Sequence, residues 1–464
     1  MTASTARSSF WPLLALALAM LLPALGTSIA NVALPSLQAA FAASMSDVQW
    51  VVLSYLLAIT TLIVGVGRLG DIVGRRRLLL GGIGIFAVAS AAAALASTLW
   101  VLIAARALQG LGAAIMMALT VAVVGDVVPK ERTGSAMGLL GTVSAIGTAL
   151  GPSLGGVLVS ITGWPAVFAL LAGAGAVTFL VGTMVLPASP ALQRKTQSFD
   201  FVGMLLLALS LGAYALSTTL GGAHPGFTNA ALAVVAGLGV AAFVLVESRT
   251  ASPLLQLELL RDRHLTAGLV ALALVSTIMM ATLVVGPFYL SKGLALGPVE
   301  TGLIMSIGPA VAALIGLPAG RLVDTHSSAK VTISGLLAVV AGTALMTVLP
   351  VWFGTLGYIA GLSTITAGYA LFQAANNTGV MASAASDRRG LTSALLGLAR
   401  NLGLITGASA MGVVFAIGSQ GLSLFGLSAG AQTGMQVTFG VACLLACVAL
   451  ANTAHALSHP FRQT

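Results

Sequence analysis

Charge is scarce in this chain: 7% of its 464 residues are Asp, Glu, Lys or Arg, against 58% hydrophobic. Soluble domains clothe roughly a quarter to a third of their surface in charge, so this composition excludes a water-soluble fold and leaves lipid as the solvent. Cysteine is scarcer still. Cys443 and Cys447 stand four apart in an apolar run, where they read as small helix-packing residues rather than a disulfide or metal pair. Also missing are an HExxH pair, a nucleophile elbow and a GxxxxGK[ST] loop. ATP-driven pumping and the common hydrolytic chemistries lose their machinery, so neither catalysis nor a cofactor is expected.

What the chain has in abundance is hydrophobic length. Crossing a hydrocarbon core of about 30 Å takes about 20 residues of helix. Such runs occur at 11–32, 48–68, 78–97, 100–124, 134–160, 165–186, 201–220, 229–247, 265–290, 300–320, 330–349, 351–374, 391–419 and 434–454. They predict an all-α polytopic membrane protein with fourteen spanning helices. The first run continues past Leu25 to about Leu34 with no cleavage site, which makes it a spanning helix rather than a secretory signal.

The basic residues test the parity of that count. With the amino terminus inside, the cytoplasmic side receives Arg7, Arg68, Arg75, Arg76, Arg77, Lys130, Arg132, Arg194, Lys195, Arg249, Arg261, Arg263, Arg321, Lys330, Arg388, Arg389 and Arg462; the outer side receives only Lys292. A miscounted helix would scatter these residues over both faces. The expected setting is the inner (cytoplasmic) cell membrane, multi-pass, with both termini cytoplasmic. The net charge of +9 then orients the chain in lipid and implies no nucleic-acid partner.

The sequence repeats itself. Gly67-Arg68-Leu69-Gly70-Asp71 returns 253 residues later as Gly320-Arg321-Leu322-Val323-Asp324. Glu131-Arg132 with Gly134, Gly141, Gly147 and Gly151 aligns, 256 residues on, with Asp387-Arg388, Gly390, Gly397, Gly403 and Gly407. Two homologous six-helix bundles follow, at 1–187 and 265–464, joined by inserted helices 7 and 8 with their linkers at 188–264. Parallel halves around a central cavity suit alternating access by rocking, and a monomer is the expected unit.

Four sets of residues stand out. Gly67, Arg68, Gly70, Asp71, Gly74, Arg75 and Arg76, between helices 2 and 3, combine turn-forming glycines with a carboxylate that can accept from a helix N-terminus or a guanidinium. With Arg321 and Asp324 they predict a breakable latch. Helix 5 places Gly147, Gly151, Gly155 and Gly156 around Pro152, a small-residue face with a bend that reads as an antiport hinge or seam. Arg106 in helix 4 is too costly for lipid, and with Asp126 it is a candidate for coupling. Asn31, Gln109, Gln373, Asn376, Asn377, Arg400 and Asn401 are candidates for a polar cavity wall.

These strings resemble the fourteen-helix drug:proton antiporters of the major facilitator superfamily. The 67–77 segment is similar to their signature between helices 2 and 3. Arg106-Ala107-Leu108-Gln109-Gly110-Leu111-Gly112 resembles their helix 4 motif, whose arginine is linked to proton coupling. Gly151-Pro152-Ser153-Leu154-Gly155-Gly156 resembles their antiport motif, and Asn31-Val32-Ala33-Leu34-Pro35 and Arg400-Asn401-Leu402-Gly403 resemble further family strings. The resemblance implies a secondary active exporter of small hydrophobic or amphipathic compounds, drugs or metabolites, with protons as coupling ion. One departure bears on this. The family often carries an aspartate before the Asn-Val-Ala-Leu-Pro string, where this chain reads Leu25-Gly26-Thr27-Ser28-Ile29-Ala30. Without a central acid, neutral or anionic cargo fits better than cationic, and the alternative is a facilitator or importer of a small neutral or anionic metabolite without proton coupling.

Overall fold

The computed structural model describes residues 3–127, 133–187, 201–220, 226–250, 262–383, 389–421 and 430–458. It is all helix. We number the helices α1 (Ala3–Ala40), α2 (Met45–Val73), α3 (Arg75–Ala94), α4 (Leu99–Val127), α5 (Thr133–Thr162), α6 (Pro165–Val185), α7 (Phe201–Thr219), α8 (Phe227–Glu247), α9 (Arg263–Phe288, continued by a π turn Tyr289–Gly293) and α10 (Pro298–Thr325). The run 328–383 is helical throughout except at Gly354, where φ 52 and ψ −124 turn the chain. It is therefore two spans, α11 (328–353) and α12 (355–383). Then come α13 (Arg389–Thr406, a π turn Gly407–Met411, and Gly412–Ser419) and α14 (Ala431–Ser458). Fourteen helices cross.

Two boundaries move relative to the sequence reading. The break between the eleventh and twelfth helices falls at Gly354 rather than at Pro350, because glycine tolerates the positive φ while a proline can be carried within the helix. The segment read as a turn between helices 2 and 3 is almost wholly helical: α2 runs through Asp71 to Val73 and α3 starts at Arg75. Only Gly74, with φ 101, makes the turn. Likewise Gly320 to Asp324 lie inside α10.

Packing follows the repeat. Helices α1–α6 contact one another, as do α9–α14, and α7 and α8 form a pair at the side. Where α5 meets α1, glycines let backbones close up: a Cβ on Gly147 would press on the Leu21 carbonyl, and one on Gly151 would overlap the Ser28 side chain. The repeat partners behave alike, Gly403 against Ala273 and Gly407 against Thr277 of α9. Helix α8 packs chiefly on α7 and turns Val234, Val235, Leu238 and Leu245 outward. Helix α7 touches both halves: Trp50 Nε1 of α2 donates to Thr219 Oγ1 at 3.1 Å, and Tyr214 Oη pairs with Thr406 Oγ1 of α13 at 3.1 Å.

We call the membrane face carrying the α2–α3 turn the basic face and the other, with Lys292, the opposite face. A cysteine placed at Ser291 is expected to react with an impermeant thiol reagent applied outside intact cells, and one at Ala329 only after permeabilisation. Outside labelling at Ala329 would reverse the orientation.

Candidate functional site

Helices of the second half, with Thr148 of the first, enclose a small cavity of about 100 Å³. Helix α5 contributes Thr148; α9 contributes Met279, Thr282 and Leu283; α10 contributes Met305 and Gly308; α12 contributes Tyr358, Leu362, Thr366 and Tyr369. The last four recur at intervals of four, four and three residues, which places them along one stripe of the helix. None of the described lining residues is a carboxylate, an ammonium or a guanidinium. Two hydroxyls in the wall, Tyr358 Oη and Thr366 Oγ1, are buried without a hydrogen-bond partner. Tyr358 stacks on Tyr289 with ring centres 6.0 Å apart, and its hydroxyl abuts Gly286, where a Cβ would overlap it. Both hydroxyls are shut off from the cavity as it stands, so a solute that displaces the side chains around them gains by supplying hydrogen-bonding groups.

A seam roofs this pocket on the opposite-face side. A Cβ on Gly302 of α10 would overlap the carbonyl oxygen of Pro152, and one on Gly156 would overlap the carbonyl of Pro298. Thr148 lies one turn below Pro152 along α5, and Met305 lies about one turn below Gly302 along α10. The bundles therefore touch backbone to backbone directly above the pocket. The predicted hinge set is thus split: Gly147, Gly151 and Gly155 face α1 within one bundle, while Pro152 and Gly156 meet the other bundle.

Arg106 does not face the pocket. It is fully buried, donating through Nε to the Val51 carbonyl at 2.8 Å and through Nη1 to Gln109 Oε1, with its guanidinium 4.1 Å from the Tyr55 ring centre. Gln109 Nε2 donates on to Ser90 Oγ at 2.6 Å, and Tyr55 Oη donates to the Pro23 carbonyl at 2.9 Å. This network knits α4 to α2, α3 and α1.

The other expected wall residues are dispersed. Asn31 is buried and donates to the Thr27 carbonyl of its own helix at 2.8 Å. Asn376 lines a different pocket of about 250 Å³ at the basic face of the second bundle, beside Gly268 and His264. Gln373, Asn377 and Asn401 are half-buried, and Arg400 is exposed 11 residues into α13. Among the latch residues, Arg76 donates to the Leu186 and Thr183 carbonyls at 2.8 Å each, closing the end of α6, and Gly70 packs on Leu119 of α4. Gly74 makes the turn, Arg75 is half-buried and Arg321 is exposed. The side chains of Arg68, Asp71, Asp126 and Asp324 and the surroundings of Gly67 lie outside the described residues, as do Lys130, Glu131 and Arg132. Sequence reasoning missed Tyr358, Thr366 and the methionines. The signal was the stripe Tyr358, Leu362, Thr366, Tyr369, which hydropathy alone does not separate from a packing face.

Comparison with known proteins identifies the superfamily and the fold. The Major Facilitator Superfamily description matches residues 16–408. The chain belongs to this superfamily. The riboflavin transporter RibZ of Clostridioides difficile is 29% identical across 87% of this chain and 88% of its own length. The multidrug resistance protein Stp of Mycobacterium tuberculosis is 30% identical across 88% and 76% respectively. A solved D-xylose-proton symporter shares the fold with a TM-score of 0.70 at 14% identity, over 96% of this chain and 97% of that one. This superfamily member is a multi-pass membrane protein that carries small molecules by secondary transport and is not an enzyme.

Proposed function

We propose that the superfamily member carries a small, neutral, largely apolar compound bearing hydrogen-bonding groups, and that it moves this cargo down the compound's own gradient. The observation that carries this reading is the pocket wall: two unpaired hydroxyls at its border, methionine and tyrosine surfaces, and no carboxylate, ammonium or guanidinium among the described lining residues. The bundles rock about the pocket, so that parting the Gly156–Gly302 seam opens it to the opposite face and closing the seam leaves access from the basic face, which the positive-inside bias makes cytoplasmic. The names of RibZ and Stp support small-molecule cargo. The protein acts as a monomer in the inner membrane.

A second reading, proton-coupled export, is favoured by the buried Arg106–Gln109–Ser90 network and by the helix 5 string that it shares in resemblance with antiporters. The guanidinium keeps its proton at physiological pH, so the carrier in this reading is a carboxylate at a helix end, with Asp126 on α4 the first candidate. Asp71 and Asp324 then serve the latch that balances the two states.

Flux into liposomes separates the readings. With purified protein and a panel of neutral, anionic and cationic aromatic compounds, wild type is expected to pass the neutral ones irrespective of an imposed pH gradient. Tyr358→Phe and Thr366→Val are each expected to weaken apparent affinity about 2- to 10-fold for compounds with hydrogen-bonding groups, the yield of one neutral hydrogen bond, and to leave their purely hydrocarbon analogues unchanged. Uphill movement driven by the pH gradient would establish the second reading in place of the first.

A further inference from the structure

The internal repeat makes a prediction that the structure breaks at one position. Adding 256 to Gly147, Gly151 and Gly156 of α5 gives Gly403, Gly407 and Gly412 of α13, and adding 253 carries the α2 motif onto α10. The first two pairs pack equivalently, on α1 and on α9. The third pair makes two close contacts between bundles near the opposite face, where Lys292 Nζ also donates to Gln38 Oε1 of α1 at 2.7 Å: Gly156 sits on Pro298 and Gly302 of α10, and Gly412 sits on Gln49 of α2. Residue 49 is the repeat equivalent of residue 302 (49 + 253). One seam is therefore glycine against glycine, and its pseudo-symmetric counterpart is glycine against glutamine.

The difference has an energetic sign. Gln49 is 1% exposed, and both its Nε2 and its Oε1 lack a hydrogen-bond partner. It lies one turn from the start of α2, so water lies only a short distance above it once the helices part. A buried amide without partners is paid for by the closed state alone, because opening the seam hydrates it. The neighbouring bonds point the other way. Trp50, beside Gln49, donates to Thr219 of α7, and Thr406, beside Gly407, pairs with Tyr214 of the same helix, so α7 ties both walls of this seam together. Gly412 is what lets Gln49 fit at all, since any Cβ there would overlap its amide.

We propose that Gln49 is a gating residue: its amide, trapped unpaired in the closed α2–α13 seam, biases the transporter toward opening at the opposite face and so sets the population balance between its two states. The proposal rests on the alternating-access reading above, and it assigns the asymmetry to one side chain rather than to the glycine seam. Removing the amide stabilises the closed seam by about the burden of one unsatisfied amide, which corresponds to about a tenfold shift in the open-to-closed ratio. Substituting a carboxylate raises the cost of burial and shifts the ratio the other way.

The test uses full-length protein in lipid nanodiscs, with Cys443 and Cys447 replaced by serine and spin labels on cysteines introduced at Ala43 and Gln420, which flank this seam. Pulsed electron spin resonance then reads the open and closed distances. Gln49→Leu is expected to lower the open-to-closed ratio about tenfold and Gln49→Glu to raise it, with Gln49→Met as a second apolar replacement matching the leucine in direction. Both apolar variants are also expected to slow flux of a panel compound without a change in its apparent affinity. Unchanged populations, or a shift in the same direction for Leu and Glu, would overturn the gating role while leaving alternating access intact. Altered affinity with unchanged populations would make Gln49 a solute contact instead. A single distance in wild type, unaltered by any panel compound, would overturn alternating access and the gate with it.

Discussion

Gly302→Leu is expected to stop transport almost completely while the protein still inserts. The reason is local. At this position α10 and α5 meet through their backbones, with no room for a Cβ between Gly302 and the Pro152 carbonyl and the Gly156 Cα only 3.1 Å from where that Cβ would lie. A leucine adds four carbons to a contact that cannot take one, and overpacking of even ordinary cores costs about 1–3 kcal/mol. Here the strain is relieved by parting the two bundles, which keeps each bundle intact and holds the pocket open to the opposite face. Net flux is expected to fall at least about 100-fold, corresponding to about 2.7 kcal/mol on the closing step. Gly156→Leu should behave alike, whereas Gly316→Leu, where the added side chain meets nothing within 4 Å, should retain near-normal flux. Counterflow in liposomes gives the rate, and labelling of a cysteine at Thr148 from the opposite face shows whether the seam stays open. Normal flux in Gly302→Leu with no gain in that labelling would return the seam to ordinary packing.

The second large effect concerns stability before transport. Arg106→Leu is expected to cost about 3–5 kcal/mol of folding stability. The residue makes hydrogen bonds through a charged group, worth about 1.5–3 kcal/mol each when desolvated partners are lost, and lies over Tyr55 in a cation–π contact worth about 2 kcal/mol in a dry setting; its Nη2, buried without a partner, offsets part of that sum. Its removal also strands Gln109, which now passes the interaction on to Ser90. Arg106→Lys keeps the charge but loses the fork that reaches Val51 and Gln109 together. It should therefore fold at a lower melting temperature and transport at least about tenfold more slowly. Thermal unfolding in detergent and flux in liposomes report the two quantities separately. If Arg106→Lys melts like wild type but loses only its response to a pH gradient, the network belongs to coupling rather than to the fold. If Arg106→Leu melts like wild type, the network holds nothing together.

These residues also show how far the sequence reaches. A buried arginine in a spanning helix was legible as a residue needing polar partners, because lipid offers it none. Which partners it found was not, since Val51 and Ser90 carry no distinguishing signal in their own helices. The small-residue string of helix 5 was legible as a seam. It did not say that Gly151 and Gly156, on different sides of the helix, serve different contacts, one within a bundle and one between bundles. The polar residues expected along a cavity wall scattered, with Asn31 bonded to its own helix and Asn376 in a separate pocket. The wall itself is made by Tyr358, Thr366 and methionines that look like packing residues.

By itself the sequence determined the membrane setting, the count of fourteen helices, the repeat and the superfamily. All four depend on quantities summed along the chain: the length of apolar runs against a fixed bilayer thickness, and strings that recur at a fixed offset. Tertiary structure alone decided which glycines roof the pocket, which hydroxyls border it and that Gln49 and its repeat partner Gly302 each lie in a seam between the bundles. In a soluble helix the apolar stripe marks the buried face. In this chain lipid and core are equally apolar, so hydropathy runs all round each helix and cannot say which side meets lipid, neighbour or cavity. Only the packed arrangement, in which backbone approach and unpaired polar atoms become visible, distinguishes those sides.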